Sequence, residues 1–351
     1  MTHARIAAER LANQRLARPA PRDPAAVVSW FGAIQAQDFG AATWAIALRL
    51  RRELDAPQVV RAIDEGRILR THLMRPTWHF VAADDIRWLL DLTAPRVHRA
   101  LAWGHTQLGT DAALRHRAMT VIERALTSEA ALTRPELAAQ LARAGMPLAG
   151  TALALVVMHA ELEGLICSGP RRGKQSTYAL LERRVPRAPR LSRDEALAEL
   201  TRRYLRSHGP ATVRDFAWWS GVAVADARRG VDIVRARPMH VDGLTYWSTT
   251  RPRAIAPSRG VHLLPVYDEY LVAYRDLDAV PRGDARWGIL PQAFIARGQV
   301  AGVWKAERRR DRIVVRAAAE RRVTRDEQRA LARAAERYGR FHGVHASLRF
   351  L

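Results

Sequence analysis

Cysteine is almost missing from this chain of 351 residues, and lysine is nearly as rare. Cys167 stands alone, which excludes a disulfide framework and a metal cage built from thiolates. The sequence also lacks an apolar run long enough for a signal-peptide core or a membrane span. We therefore expect a cytoplasmic protein with no membrane contact.

Positive charge, by contrast, is abundant. The 57 Lys and Arg residues outnumber the 35 Asp and Glu residues and give a formal net charge of +22. Only Lys174 and Lys305 are lysines, and such an arginine bias has two explanations, a G+C-rich genome or a function. A polyanion is still the natural partner of so basic a chain. We expect double-stranded DNA as the partner of a monomeric protein associated with the nucleoid.

The first third of the chain predicts several helices followed by a hairpin. Helices are predicted over residues 4–16, 23–34 and 56–65, with Asp23 and Asp55 as N-caps and Gly66 ending the third. Two strand patterns follow, over 67–73 and 77–81. Three helices followed by a hairpin are typical of a winged helix. We assign residues 1–112 to this first unit.

The same order of elements recurs twice. The second unit, residues 113–185, has helix patterns at 116–126, 134–144 and 151–163 and strand patterns at 165–168 and 177–180. Thr133 and Glu136 form the pattern of a capping box that opens the second of these helices. The third, residues 186–256, has helix patterns at 194–207, 212–219 and 224–234 and a hairpin over 239–247. Residues 257–351 predict a β-rich domain with strands at 262–274, 293–307, 312–319 and 344–351 and a helix at 325–341. The predicted fold class is α+β.

The most informative stretch is residues 30–39, in which Gln35 and Gln37 flank Ala36 at the end of an amphipathic run. A glutamine amide both donates and accepts hydrogen bonds, so a pair binds a water molecule or a sugar without carrying charge. On a strongly basic chain, this favours chemistry performed on nucleic acid. We predict that both amides lie at the C-terminal end of the second helix, where backbone carbonyls favour positive charge.

The first predicted hairpin alternates cationic and apolar residues. Its cationic members are Arg70, His72, Arg75 and His79. An alternation of period two puts one cationic and one apolar face on the hairpin. Two interpretations stay open: an ordinary half-buried hairpin, or a basic hairpin that binds a strand of distorted DNA.

The turn between the two strands of the second unit carries Arg171, Arg172 and Lys174. Its spacing does not match a phosphate-binding loop, and it joins two strands rather than a strand and a helix. We interpret it as a wing that contacts DNA phosphates, with a solvated turn as the alternative.

The sequence gives only weak signals for metal binding or for acid/base catalysis. None of the twelve histidines forms a His-x-x-x-His pair on a helix beside a glutamate, so we expect no metal, and His79 and His159 fall in apolar runs typical of buried histidines. Asp268 and Glu269 lie between two tyrosines on a strand-like pattern. They are candidates for acid/base work or for a structural role such as pairing with an arginine.

Three segments, in this order, resemble the AlkZ-type DNA glycosylases of the AlkZ/YcaQ superfamily: Gln35-Ala36-Gln37, Arg70-Thr71-His72-Leu73-Met74-Arg75-Pro76-Thr77-Trp78-His79, and Leu264-Pro265-Val266-Tyr267-Asp268-Glu269-Tyr270. The resemblance covers nearly the whole chain. It implies three tandem winged-helix units in a C-shaped arrangement and no metal or organic cofactor. It also implies excision of bulky N-alkylated purines and unhooking of interstrand crosslinks.

The Gln-x-Gln spacing resembles the branch related to self-resistance against azinomycin-like crosslinkers, whereas a sister branch has Asp at the second position. The resemblance makes Gln35 and Gln37 the catalytic residues. An N7-alkylated guanine is already cationic and leaves as a neutral base, so no general acid is needed. The enzyme has to position a water molecule and stabilise an oxocarbenium-like sugar.

A winged-helix transcription regulator without catalytic activity is the competing interpretation. It would need a helix that reads bases in the major groove. We expect the candidate helices at 56–65, 151–163 and 224–234 to expose few Asn, Gln and Arg residues, with Arg228 and Arg229 as the clearest exceptions. A purely structural DNA scaffold would leave the two glutamines without a role.

Overall fold

The computed structural model of the chain describes residues 2–186, 190–250, 258, 260–281 and 292–351. The helices are α1 His3–Asn13, α2 Pro24–Phe31, α3 Phe39–Arg49, α4 Ala56–Asp64, α5 Ile86–Gln107, α6 Ala112–Ser128, α7 Arg134–Arg143, α8 Gly150–Leu162, α9 Leu181–Arg184, α10 Arg193–His208, α11 Val213–Ser220, α12 Val224–Ile233, α13 Glu269–Val272 and α14 Arg325–Phe341. The strands are β1 Ile34–Gln35, β2 Ile68–Leu73, β3 Thr77–Ala82, β4 Leu132–Thr133, β5 Ile166–Ser168, β6 Thr177–Leu180, β7 Arg237–Val241, β8 Leu244–Ser248, β9 Val261–Leu263, β10 Ala293–Ala296, β11 Gln299–Arg308, β12 Arg312–Ala319 and β13 His345–Phe350. None of the described helices is long and apolar enough to cross a membrane.

The first unit contains α1 to α4 and a three-stranded sheet of order β1-β3-β2. Asp23 caps α2 and Asp55 caps α4, as predicted. The helix predicted over 23–34 is too long, because Gly32 takes a φ of +85° and ends α2 at Phe31. Ile34 and Gln35 are strand residues instead.

Two helices of this region were not predicted. The residues of α3 are nearly all apolar and mostly buried, so they show no amphipathic period, and the only local signal is Asp38, which caps the helix. The 22-residue α5 packs against α8, α10 and β2. It therefore links the first unit to the two that follow.

The second unit has α6, α7 and α8 and a sheet of order β4-β6-β5. The capping box of Thr133 and Glu136 opens α7 as predicted. The third unit has α10, α11 and α12 and the two-stranded hairpin of β7 and β8, which turns at Asp242 and Gly243. Residues 251–257, at the end of this unit, lie outside the described residues.

The C-terminal region is a five-stranded sheet of order β13-β12-β11-β10-β9, with β13 parallel to β12 and α14 packed against the sheet. The strand predicted over 262–274 is wrong beyond Leu263, because a turn follows and Asp268 caps the short helix α13. The strand predicted over 293–307 is two strands, since Arg297 and Gly298 both take positive φ and form a tight turn.

One hydrophobic core joins the first unit to the C-terminal region. Its buried members come from both parts of the chain and include Phe31, Ile34, Trp44, Tyr270, Ile295 and Phe341. The junction also holds the buried ion pair of Arg49 and Asp268. The segment containing Asp268 and Glu269 is thereby fixed beneath β1. The predicted domain boundaries stay a prediction.

Candidate active site

The two glutamines lie at the edge of the first sheet. Gln35 is paired with His79 of β3, and the amide of Ala36 continues the pairing by donating to the Trp78 carbonyl oxygen at 2.7 Å. Gln35 belongs to β1, and Gln37 follows it in the bend before α3, with the fully buried Ala36 between them. The end of a strand, and not the end of a helix, thus places both amides against the hairpin of β2 and β3.

Both amide oxygens are already held by donors on the hairpin of β2 and β3. Arg75 Nη2 donates to Gln35 Oε1 at 2.9 Å, and the Trp78 amide donates to Gln37 Oε1 at 3.3 Å. A carbonyl oxygen accepts two hydrogen bonds, so each amide keeps one lone pair and its NH₂ group for a ligand. Gln35 is 8% exposed, whereas Gln37 is open to solvent.

Arg75 stands at the tip of this hairpin, which is locked against α11. A Cβ atom on Gly221, at the C-terminal end of α11, would lie only 2.1 Å from the carbonyl oxygen of Met74. This close approach requires glycine, and Met74 itself has a φ of +60°. The guanidinium of Arg75 also lies 5.9 Å from the ring centroid of Trp218, which is 47% exposed.

Behind Gln35 lies a buried carboxylate. Glu269 Oε1 accepts a hydrogen bond from the backbone N–H of Gln35 at 2.7 Å. Glu269 Oε2 accepts one from Trp219 Nε1 at 2.8 Å and lies 3.2 Å from His208 Nε2. Burial by itself raises the pKa of Glu269. The contacts with His208 and with the backbone N–H of Gln35, together with the charge of Arg75, lower it by more, so the pKa of Glu269 lies below its ordinary value. Glu269 is therefore ionised and fixes Gln35 from behind.

Asp268 has a different environment from its neighbour. Both of its oxygens accept from Arg49, at 2.8 Å each, and one also caps the amide of Tyr270. Asp268 and Arg49 are both fully buried. This geometry favours the structural alternative for Asp268, while Glu269 touches the glutamine segment.

The expectation of one cationic face on the hairpin is wrong for its histidines, whereas the predicted burial of His79 is confirmed. His72 is buried and bonded to Glu161 of α8, and His79 is buried with Nδ1 at 2.9 Å from the Thr77 carbonyl oxygen. Burial lowers the pKa of His79 well below its ordinary value, so its imidazole is neutral. The cross-strand register pairs His72 with Trp78 and His79 with Thr71, so the two histidines lie on opposite faces of the hairpin.

Arg70 is half-buried and braces the glutamine segment. Its Nε donates to the Ala36 carbonyl oxygen at 3.0 Å and its Nη2 to the Gln37 carbonyl oxygen at 3.3 Å. The guanidinium also lies 4.1 Å from the Trp78 ring centroid. Arg70 thus orients the backbone of the motif, and any contact with a phosphate would be additional to this role.

The three basic residues of the wing are not equivalent. Arg171 lies over the ring of Phe39 at 4.5 Å, which brings it next to the glutamine segment. Arg172 points elsewhere and forms an exposed ion pair with Glu136 at 2.8 Å. Lys174 is exposed on the turn.

Three members of the site were not predicted from the sequence, namely Trp218, Trp219 and His208. They lie at the ends of α10 and α11, in a different predicted unit from the glutamines. No local pattern reveals their role, because that role comes from packing against Glu269 and Arg75. The paired aromatic residues Trp218 and Trp219 in a short helix were the one visible signal.

A family model described as DNA glycosylase AlkZ-like matches residues 28–341. Among solved structures, the chain is similar to the Streptomyces sahachiroi DNA glycosylase AlkZ, with a TM-score of 0.81 and 22% sequence identity over 100% of both chains. This likeness shows a shared fold along the full length. No curated protein matches the chain at a significant level.

Proposed function

Because this chain belongs to the AlkZ-like family of DNA glycosylases, we propose that it excises N-alkylated purines, N7-alkylguanine above all, from double-stranded DNA. The observation that supports this most is the pair of glutamine amides, held by Arg75 and Trp78 above the Glu269 carboxylate. Such a site is prepared for a reaction that needs a positioned water molecule and a place for positive charge.

In the proposed reaction, the C1′–N9 bond breaks and its electron pair neutralises the cationic base, which leaves without protonation. Water oxygen bonds to C1′, and the proton it loses passes to solvent. The free lone pairs of Gln35 and Gln37 orient this water and face the oxocarbenium-like sugar. The ionised Glu269 offsets the nearby charge of Arg75 and favours the cationic transition state.

The same chemistry accounts for selectivity. A glutamine amide is a weak base and Glu269 is buried, so an uncharged purine, which is a poor leaving group, is spared. Bulky adducts and interstrand crosslinks do not swing fully into a closed pocket as an ordinary flipped base does. We include in the proposal an open, C-shaped surface of three winged helices that accepts such lesions and unhooks crosslinks.

The direct test is incubation of the protein with a duplex that contains N7-methylguanine, followed by alkaline cleavage of abasic sites. Strand cleavage at the lesion, and none in the unmodified duplex, is the expected result. A duplex with a defined crosslink between N7 positions, resolved on a denaturing gel, tests unhooking. The absence of product from both substrates would overturn the proposal.

The competing regulator interpretation is disfavoured by burial. The middle candidate for a recognition helix, α8, buries seven of its 13 residues and contributes Leu153, Val156 and Val157 to a core. A helix with so few free positions is poorly suited to base reading. Gel shifts with random and defined duplexes separate the two functions, since a regulator prefers one sequence.

We expect nonspecific duplex binding with a steep salt dependence, because each neutralised phosphate contributes a slope of about −0.9. Arg171→Ala and Lys174→Ala should each flatten the slope by roughly one unit. Arg172→Ala should change it less, since Glu136 already neutralises this residue. Fluorescence anisotropy over a salt series measures the slopes, and four equal slopes would remove this wing from the DNA interface.

Arg75→Ala should slow excision of N7-methylguanine at least tenfold and barely change affinity for intact duplex. Arg75 holds Gln35 Oε1, so its loss frees the amide to rotate. Single-turnover excision and anisotropy on intact DNA measure the two effects. Arg333→Ala, an exposed arginine of α14, is the matched control. Equal losses in excision and affinity would make Arg75 an ordinary phosphate contact.

A further inference from the structure

A second group of titratable side chains, three histidines and one glutamate, lies between α5 and α8. It shares no residue with the glutamine site. His98 and His105 are seven positions apart on α5 and therefore on one face of the helix. His159 is on α8, and Glu163 follows at the C-cap of the same helix. The packing of α5 against α8 brings these four residues together.

The distances fit a site that closes around one ion. One ligand atom each from His98, His159 and Glu163 lies within 4.8 Å of the others, and His98 Nε2 is 3.0 Å from Glu163 Oε1. The ring of His159 lies 5.0 Å from that of His98 and 6.0 Å from that of His105, between centroids. Zinc bonds to nitrogen and oxygen ligands are about 2.0–2.2 Å long, so shifts of the order of 1 Å complete a tetrahedron.

Orphaned nitrogens provide an independent reason to expect a ligand. His105 is 5% exposed, and its Nδ1 lies 2.8 Å from Thr110 Oγ1, which itself donates to the His105 carbonyl oxygen. Nδ1 is therefore the donor, and the buried Nε2 keeps a lone pair with no partner among the described residues. His159 Nδ1 is also buried with no hydrogen-bond partner among the described residues. Metal-binding histidines are commonly held through their second nitrogen in this way.

The charges around the site have both signs. Arg115 repels a cation, and the carboxylate of Glu163 offsets this repulsion.

We propose that His98, His159 and Glu163 bind a zinc-class divalent ion between α5 and α8, with His105 as the nearest further nitrogen ligand. Imidazole and carboxylate ligands suit zinc and its neighbours better than calcium or magnesium. The ion would clamp the long helix of the first unit to the second unit and stabilise their junction. The sequence predicted no metal, because the two histidine ligands come from helices about 60 positions apart and form no His-x-x-x-His pair.

The test uses the full chain without an affinity tag, stripped with EDTA and titrated with zinc chloride by calorimetry. We expect uptake of one zinc per chain at micromolar or lower Kd and a rise in Tm of several degrees, since binding stabilises only the folded state. Cobalt titrated in its place should give the visible absorption of a four-coordinate nitrogen and oxygen site.

His98→Ala and His159→Ala should abolish uptake, and Glu163→Gln should weaken it at least tenfold. Glu163→Gln changes a half-exposed position and keeps the test decisive if the histidine variants fold poorly. His116→Ala, an exposed histidine of α6, is the matched control and should bind as the unaltered chain does. Two results would overturn the proposal: the absence of stoichiometric zinc uptake, or zinc uptake that stays unchanged in Glu163→Gln and His159→Ala.

Discussion

Gln35→Ala and Gln37→Ala are each expected to cut single-turnover excision of N7-methylguanine by about 100-fold or more, which corresponds to about 2.7 kcal/mol of transition-state stabilisation. Each change removes an amide oxygen that the hairpin holds in place. Folding and affinity for intact duplex should stay nearly unchanged, because neither side chain belongs to the hydrophobic core.

Two further variants sharpen this test. Gln107→Ala, an exposed glutamine at the end of α5, should excise at the rate of the unaltered chain. Gln37→Asp introduces a carboxylate that activates water and should retain activity, with an altered range of lesions. Unaltered excision rates in both alanine variants would contradict the assignment of Gln35 and Gln37 as catalytic residues. The regulator interpretation would then be favoured.

Asp268→Ala is expected to destabilise the protein strongly. It leaves the buried guanidinium of Arg49 without its ion-pair partner, and breaking such a pair costs about 3–5 kcal/mol. In a chain of this size, that cost lowers Tm by roughly 5 °C or more. Thermal denaturation followed by circular dichroism measures the change.

Asp268→Asn keeps one acceptor for Arg49 and should fall between the alanine variant and the unaltered chain. Asp311→Ala, which changes an exposed aspartate before β12, should leave Tm within a degree. The outcome that contradicts this view is a variant with normal Tm and no excision. Asp268 would then act as an acid or base, and not as the anchor of the segment beneath β1.

Local signals predicted much of the fold well. The caps at Asp23, Asp55 and Thr133 correctly start α2, α4 and α7, and α14 has the bounds that its amphipathic pattern indicates. These features depend on hydrogen bonds within a few residues and on the side of one helix that meets the core. Local hydrogen bonds and the apolar side of a helix both follow directly from the local sequence.

Features that depend on burial from several sides were missed or misplaced. The helix α3 is apolar almost all round, so its sequence has no period to detect. The end of α2 depends on the positive φ of Gly32, and this moved Gln35 from a helix to a strand. His72 has the residue type of a cationic surface, yet packing against α8 buries it.

The sequence by itself determined the arginine-rich charge, the paired Gln35 and Gln37, and a motif order that identifies the AlkZ-like family. Only the tertiary structure decided which groups surround the glutamines. Glu269 lies 234 positions from Gln35 and Arg75 lies 40 positions away, yet both bond to it directly. Local order specifies hydrogen bonds along a helix or strand, whereas contacts over such separations arise only when distant elements bury a common core.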